Sequence, residues 1–225
     1  MRNDRRRWLR NAAAAALAAQ LGLLRDALAQ DAVARGVHGA RGQALLNGEL
    51  VTPGTPVRAG DTVSTGAASE VVFVVGRDAM LLRGNARVEV QGERGSLIAT
   101  GLRIITGALL SVFAPGEAKR VQSPSATIGI RGTAVYVEVE PDRTYVCTCY
   151  GTAELAAVDD PSAREVITTR HHDEPRYIMA RGAPQMLMRA PVVNHTDAEL
   201  TLLEALVGRR PPFLSQPDYR PGRYQ

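Results

Sequence analysis

The sequence predicts an all-β domain over residues 36–158, followed by one short helix and an extended tail. Two observations carry that assignment. Apolar residues recur with period two or in short continuous runs, the spacing of strands whose successive side chains face opposite ways. Gly, Pro, Asn and Asp interrupt these runs roughly every eight to twelve residues, the rhythm of sandwiches and barrels. Nothing in this region repeats at the helical period of about 3.6 residues.

Residues 43–50 form a hairpin candidate, because Asn47-Gly48 favours the positive φ that a two-residue turn demands. Pro53-Gly54-Thr55-Pro56 turns the chain again. Residues 69–75 read SEVVFVV, a run suited to a buried strand, and Gly76-Arg77-Asp78 closes it. Residues 79–83 and 86–91 follow, parted by Gly84-Asn85. Residues 104–113 are the next strand, with Gly107 marking a bulge. Val135, Val137 and Val139 then share one strand face, with Tyr136, Glu138 and Glu140 on the other. Residues 145–150 are placed to pair with them across Pro141-Asp142-Arg143. Roughly ten strands result. Asp159-Asp160-Pro161 breaks the pattern, and residues 159–225 form a polar, Pro-rich extension with a short strand at 165–169. A helix is predicted over 196–207. Thr196-Asp197-Ala198-Glu199 is a capping box, Leu200, Leu203 and Leu206 make an apolar stripe, and Gly208 with Pro211-Pro212 ends it. Residues 213–225 read as an extended strap or a loose end.

Residues 1–29 read as an export signal. Arg5-Arg6-Arg7-Trp8-Leu9-Arg10 resembles the twin-arginine consensus, an Ala-rich core spans 12–24, and Ala27-Leu28-Ala29 offers a small-x-small cleavage site before Gln30. The core is shorter than the roughly 20 apolar residues of a membrane span. The expected product is a periplasmic chain that does not cross the membrane. Removing the signal also changes the charge. The full sequence has 27 basic and 23 acidic residues; residues 1–29 hold six of the former and two of the latter, leaving 21 of each. A formally neutral product is not expected to bind nucleic acid.

Two stretches give the β region a family likeness. Gly60-Asp61-Thr62-Val63-Ser64-Thr65-Gly66 matches G-D-x-V-x-T-G, and Ser123-Pro124-Ser125-Ala126-Thr127-Ile128-Gly129-Ile130-Arg131-Gly132-Thr133 is similar to T-P-x-A-x-x-G-V-R-G-T. With them, residues 36–158 resemble the FecR domain. The resemblance implies a stacked, solenoid- or sandwich-like sheet. It also implies a non-enzymatic periplasmic module for recognition or envelope signalling, whose partner is a protein or an envelope polymer. FecR-type regulators carry a cytoplasmic anti-sigma segment and a membrane span; here an export signal stands in their place, so a stand-alone module is expected. Gly60, Asp61, Thr65, Gly66, Gly129, Arg131, Gly132 and Thr133 are read as mainly structural. Gly129 and Gly132 suit positive φ or close approach. Arg131, set between apolar residues, suits a buried charge that needs a partner such as Asp61.

The sharpest chemistry lies outside this motif pattern. Cys147-Thr148-Cys149 sits in a predicted strand, so both thiols point to one face. Same-face neighbours in a strand lie roughly 6.5–7 Å apart with parallel Cβ directions, so a mutual disulfide needs a local bend. His171-His172-Asp173 follows, and His195 precedes the capped helix. Two thiols with one or two imidazoles suit a tetrahedral zinc or a copper ion. Cys147, Cys149, His171 and His172 are therefore candidate ligands of a transition metal in a metal- or haem-handling envelope protein, with Asp173 orienting a histidine. The alternatives are buried thiols packed as small apolar groups, a Cys147–Cys149 bridge, and surface histidines. No C-x-x-C-H for covalent haem, G-x-S-x-G, P-loop or dinucleotide fingerprint is present. Asp159-Asp160 and Asp173-Glu174 read as solvated turns, and nothing beside a Cys149–histidine dyad suggests an oxyanion hole. No catalytic residue is assigned.

Overall fold

The computed structural model of the chain describes residues 35–220; the export signal read in residues 1–29, with Arg5, Arg6, Ala27 and Ala29, lies outside them. The described chain is all-β apart from one α-helix and a 3-10 turn. Its strands are β1 (Gly36–Arg41), β2 (Ala44–Leu46), β3 (Glu49–Leu50), β4 (Thr62–Thr65), β5 (Glu70–Val75), β6 (Asp78–Leu82) and β7 (Arg87–Gln91). Then come β8 (Gly101–Val112), β9 (Ala118–Gln122), β10 (Ala126–Val139), β11 (Arg143–Ala157), β12 (Arg164–Thr169), β13 (Arg176–Met179) and β14 (Leu187–Arg189). The helix α1 spans Asp197–Leu206 and the 3-10 turn Pro212–Ser215. Asn47 and Gly48 both have positive φ, 53° and 93°, as the β2–β3 turn requires.

Three long strands organise the sheet. The first half of β8 pairs with β7 and β9, and its second half with β6 and β10. Strand β10 pairs with β9 early and β8 late, with β11 alongside throughout. The early part of β11 pairs with β13 and the late part with β12, so the chain past residue 158 joins the same sheet. β13 and β14 have no counterpart in the sequence reading, because they are short and set among polar residues.

Each long strand carries one extra residue at a shared corner. In β8, Leu102 and Ile104 face the inner core and so does Leu109; in β10, Ile128 and Ile130 do, and then Val135 and Val137. Even and odd positions have exchanged roles, which strict alternation forbids. The register slips between Arg131 and Ala134 of β10, against Tyr150 of β11, and between Thr106 and Ile104 of β8 supply the missing step. Gly132 makes the bend possible: its φ is +59°, and a Cβ there would stand 2.7 Å from the Pro115 Cα.

The slip buries the upper half of the sheet on both sides. Its inner face carries Val71, Phe73, Leu82, Val135, Val137 and Val146, and its outer face Val72, Val74, Leu81, Leu110, Val112, Tyr136, Tyr145, Cys147 and Cys149. Helix α1 and the 3-10 turn cover that outer face with Leu200, Leu203, Leu206 and Phe213, all buried. Burying each such side chain fully contributes about 1.5–3 kcal/mol. Thr196 caps α1: its Oγ1 accepts from the Glu199 N–H at 3.2 Å, and Glu199 Oε2 accepts from the Thr196 N–H at 2.9 Å. Arg83 fixes where the helix lands, donating to Glu199 at 2.9 Å and to the Asn194 carbonyl at 2.8 Å.

Two expectations for the motif residues change. Arg131 is exposed, on the rim of an open groove of about 600 Å³ with Arg120, Thr152 and Glu154, and is no buried charge. Asp61 instead closes its own turn, accepting from the Arg58 N–H and the Asn47 side-chain amide, both at 2.8 Å. The cause is strand alternation: Ile130 takes the inner position, so Arg131 faces out. Gly129 has ordinary extended backbone, and a Cβ there would meet the Glu154 Cβ at an unstrained 3.7 Å. Gly60 turns at φ +92°, Thr65 Oγ1 donates to the Arg83 carbonyl, a Cβ on Gly66 would press on Gln43, and Thr133 is fully buried.

Candidate metal centre

Four side chains converge beneath the helical cover. Cys147, Cys149, His172 and His195 are all buried, and one donor atom from each lies within 4.8 Å of all the others. His195 Nε2 lies 3.0 Å from His172 Nδ1, and Cys147 Sγ lies 3.4 Å from the same nitrogen. A tetrahedral zinc with sulfur at about 2.3 Å and nitrogen at about 2.0–2.1 Å sets its donors roughly 3.3–3.8 Å apart. The four groups therefore stand where one ion would gather them with shifts of about an ångström or less.

Local structure aims each donor. Cys147 and Cys149 both lie on the outer face of β11, and Cys149 is itself the extra residue of that strand, between Thr148 paired with Val135 and Tyr150 paired with Ala134. His172 takes a left-handed φ of 54°, and its N–H donates to the Cys149 carbonyl at 2.9 Å, which turns its ring in under the cysteines. His195 stacks on the Tyr136 ring at 4.7 Å with an interplanar angle of 14°.

The outer ring nitrogens decide the tautomers. His195 Nδ1 faces the Val193 carbonyl at 2.7 Å and His172 Nε2 faces Asp197 Oδ1 at 3.1 Å. Both partners only accept, so both nitrogens carry protons and the inner nitrogens of neutral rings present lone pairs. Two lone pairs at 3.0 Å repel unless a cation, a proton or a metal ion, lies between them. Asp197 supplies the carboxylate that orients a ligand histidine.

Protonation in the metal-free state follows the same contacts. Burial alone would raise the Cys147 thiol, yet hydrogen bonds from Cys149, His172 and His195 outweigh it and hold it well below the usual cysteine range. Burial would lower His172, but Asp197 and Cys147 overcome that and raise it to about 9. Cys149 is pushed well up by burial and by the neighbouring Cys147. One thiolate beside one imidazolium is the charge pattern that a divalent ion would replace.

The sequence placed three of these four residues. His171 is not in the group: its Nε2 meets Asp197 Oδ1 at 2.8 Å and its ring packs on Phe213 and Tyr219. Adjacent residues in a turn point different ways, and only His172 turns inward. The fourth donor is His195, whose one sequence signal is its place just before a helix cap. Asp173 orients no ligand ring; its Oδ2 accepts from Thr169 Oγ1 at 2.9 Å and from the Arg170 and His171 N–H groups.

No protein-family model and no curated protein matches the sequence. Among solved structures, two crystal structures of a "putative anti-sigma factor" from Parabacteroides distasonis ATCC 8503 are similar. Both are 13% identical to this chain, with TM-scores of 0.47 and 0.46. Each superposition covers 57% of this chain and 58% of that one, so the likeness spans little more than half of either. Among the described residues, no helix is long and apolar enough to cross a membrane.

Proposed function

We propose that this chain is a non-enzymatic β module that binds one divalent transition-metal ion, most suitably zinc, through Cys147, Cys149, His172 and His195. One observation carries the reading: four buried donors lie within 4.8 Å of one another, with both histidines' outer nitrogens already held by acceptors. Two sulfurs and two nitrogens suit a tetrahedral zinc. Four protein donors leave no open position, the mark of a structural rather than a catalytic ion. The thiols have no solvent exposure, which leaves a substrate no approach to the Cys147–His172 pair. The spacing favours a single ion over a cluster of several, which would spread its ligands further. The FecR-like motifs favour a recognition or envelope-signalling setting, and the paired arginines Arg5 and Arg6 favour the periplasm.

Elemental analysis of the purified full chain tests the metal. About one ion per chain is expected, held against dialysis. A chain that carries no ion, and takes up neither zinc nor cobalt when they are added, overturns the reading. Export is tested separately: Arg5→Lys with Arg6→Lys should keep the chain out of the periplasm.

A further inference from the structure

The four donors join parts of the chain that are distant in sequence. Cys147 and Cys149 stand on β11 in the middle of the sheet, whereas His172 follows β12 and His195 stands two residues before α1. Beyond His195 the chain lies across the outer face, burying Leu200, Leu203, Leu206 and Phe213 over Val72, Val74, Leu81, Leu110 and Val112.

We propose that the metal is the clasp that holds this C-terminal cover, residues 190–220, on the sheet. Metal loss then releases the cover and bares the apolar outer face, while the inner core stays folded. The inference rests on the metal-binding reading and adds to it what the ion does.

Helix α1 has ten residues, and a helix of that length is marginal in water without a surface to dock on. Its order therefore depends on what holds it down. The contacts at its start converge on the candidate site: Asp197, the first helical residue, accepts from His171, His172 and Tyr219 Oη. His195 and Asp197 flank the Thr196 cap, so lifting the helix withdraws a ligand and the ligand-orienting carboxylate together.

Closing the cover brings His195 Nε2 to 3.0 Å from His172 Nδ1 and within 4.8 Å of both buried thiols of β11. One ion bound by all four donors ties the cover to the sheet at that point, adding metal–ligand bonds to the apolar contact around it. Arg83, just past β6, to Glu199 and Tyr150 of β11 to Glu204 set the helix's register. The inner core shares none of the four ligands' side chains, which is why it keeps its order.

Hydrogen exchange on the full chain, zinc-loaded and after chelation, tests the clasp. Amides of residues 190–220 should exchange at least tenfold faster without metal, while those of β5 and β10 keep their protection. A Cys147→Ala, Cys149→Ala variant, which fills the thiol positions with small apolar groups, should show the released pattern with or without added zinc. A chain that binds zinc but whose cover exchanges equally slowly with and without it defeats the clasp and leaves the metal-binding reading standing. Loss of protection in β5 and β10 as well also defeats it, since the ion then holds the whole fold. A chain that binds no metal defeats both.

Discussion

His195→Ala and His171→Ala separate the tertiary structure from the sequence pattern, because the pattern names His171 as a ligand and the fold brings His195 to the site instead. Structural zinc sites bind with about 10–16 kcal/mol of apparent free energy, so one ligand in four carries roughly 2.5–4 kcal/mol. At about 1.4 kcal/mol per tenfold, His195→Ala should weaken metal binding by roughly two to three orders of magnitude. His171 meets Asp197, which still has His172 and Tyr219 as partners. Its removal should cost at most about tenfold, the low end for groups that act through a ligand. Competition against a chromophoric chelator measures both affinities. Cobalt substitution adds an independent readout, since thiolate charge-transfer and ligand-field bands report the donor set. Loss of affinity in His171→Ala equal to that in His195→Ala would refute the assignment of the fourth ligand.

Three further outcomes follow from the geometry. Asp197→Asn keeps the shape but removes the charge that orients His172, and should weaken metal binding about 10- to 100-fold in the same titration. Gly132→Ala forces a Cβ to 2.7 Å from Pro115 in left-handed backbone and should lower stability by about 2 kcal/mol or more, whereas Arg131→Ala, on the exposed rim, should change the unfolding free energy from chemical denaturation by no more than about 0.5 kcal/mol. Leu203→Ala empties a fully buried position under the cover and should cost about 2–5 kcal/mol in chemical denaturation.

The sequence by itself determined the all-β class, the Asn47-Gly48 hairpin, the shared face of Cys147 and Cys149 and the capped helix with its leucine stripe. Each is written in local rules: alternation along a strand, positive φ at a turn, hydrogen bonds across three residues at a helix start. Tertiary structure decided what those rules do not reach. Val135, Val137 and Val139 read as a strand by themselves, and only the extra residue beside Gly132 shows 126–139 as one strand turning a corner. Packing of Ile128 and Ile130 on the inner core put Arg131 on the surface, where its apolar neighbours had suggested burial. The fourth donor was likewise beyond local pattern. His171 and His172 are equal in sequence, and the left-handed turn at His172 chose between them. His195 reached the cysteines from 46 residues beyond Cys149 because apolar burial of α1 carried it there. A metal ligand set is a fact about points in space, and the chain fixes such points only by packing.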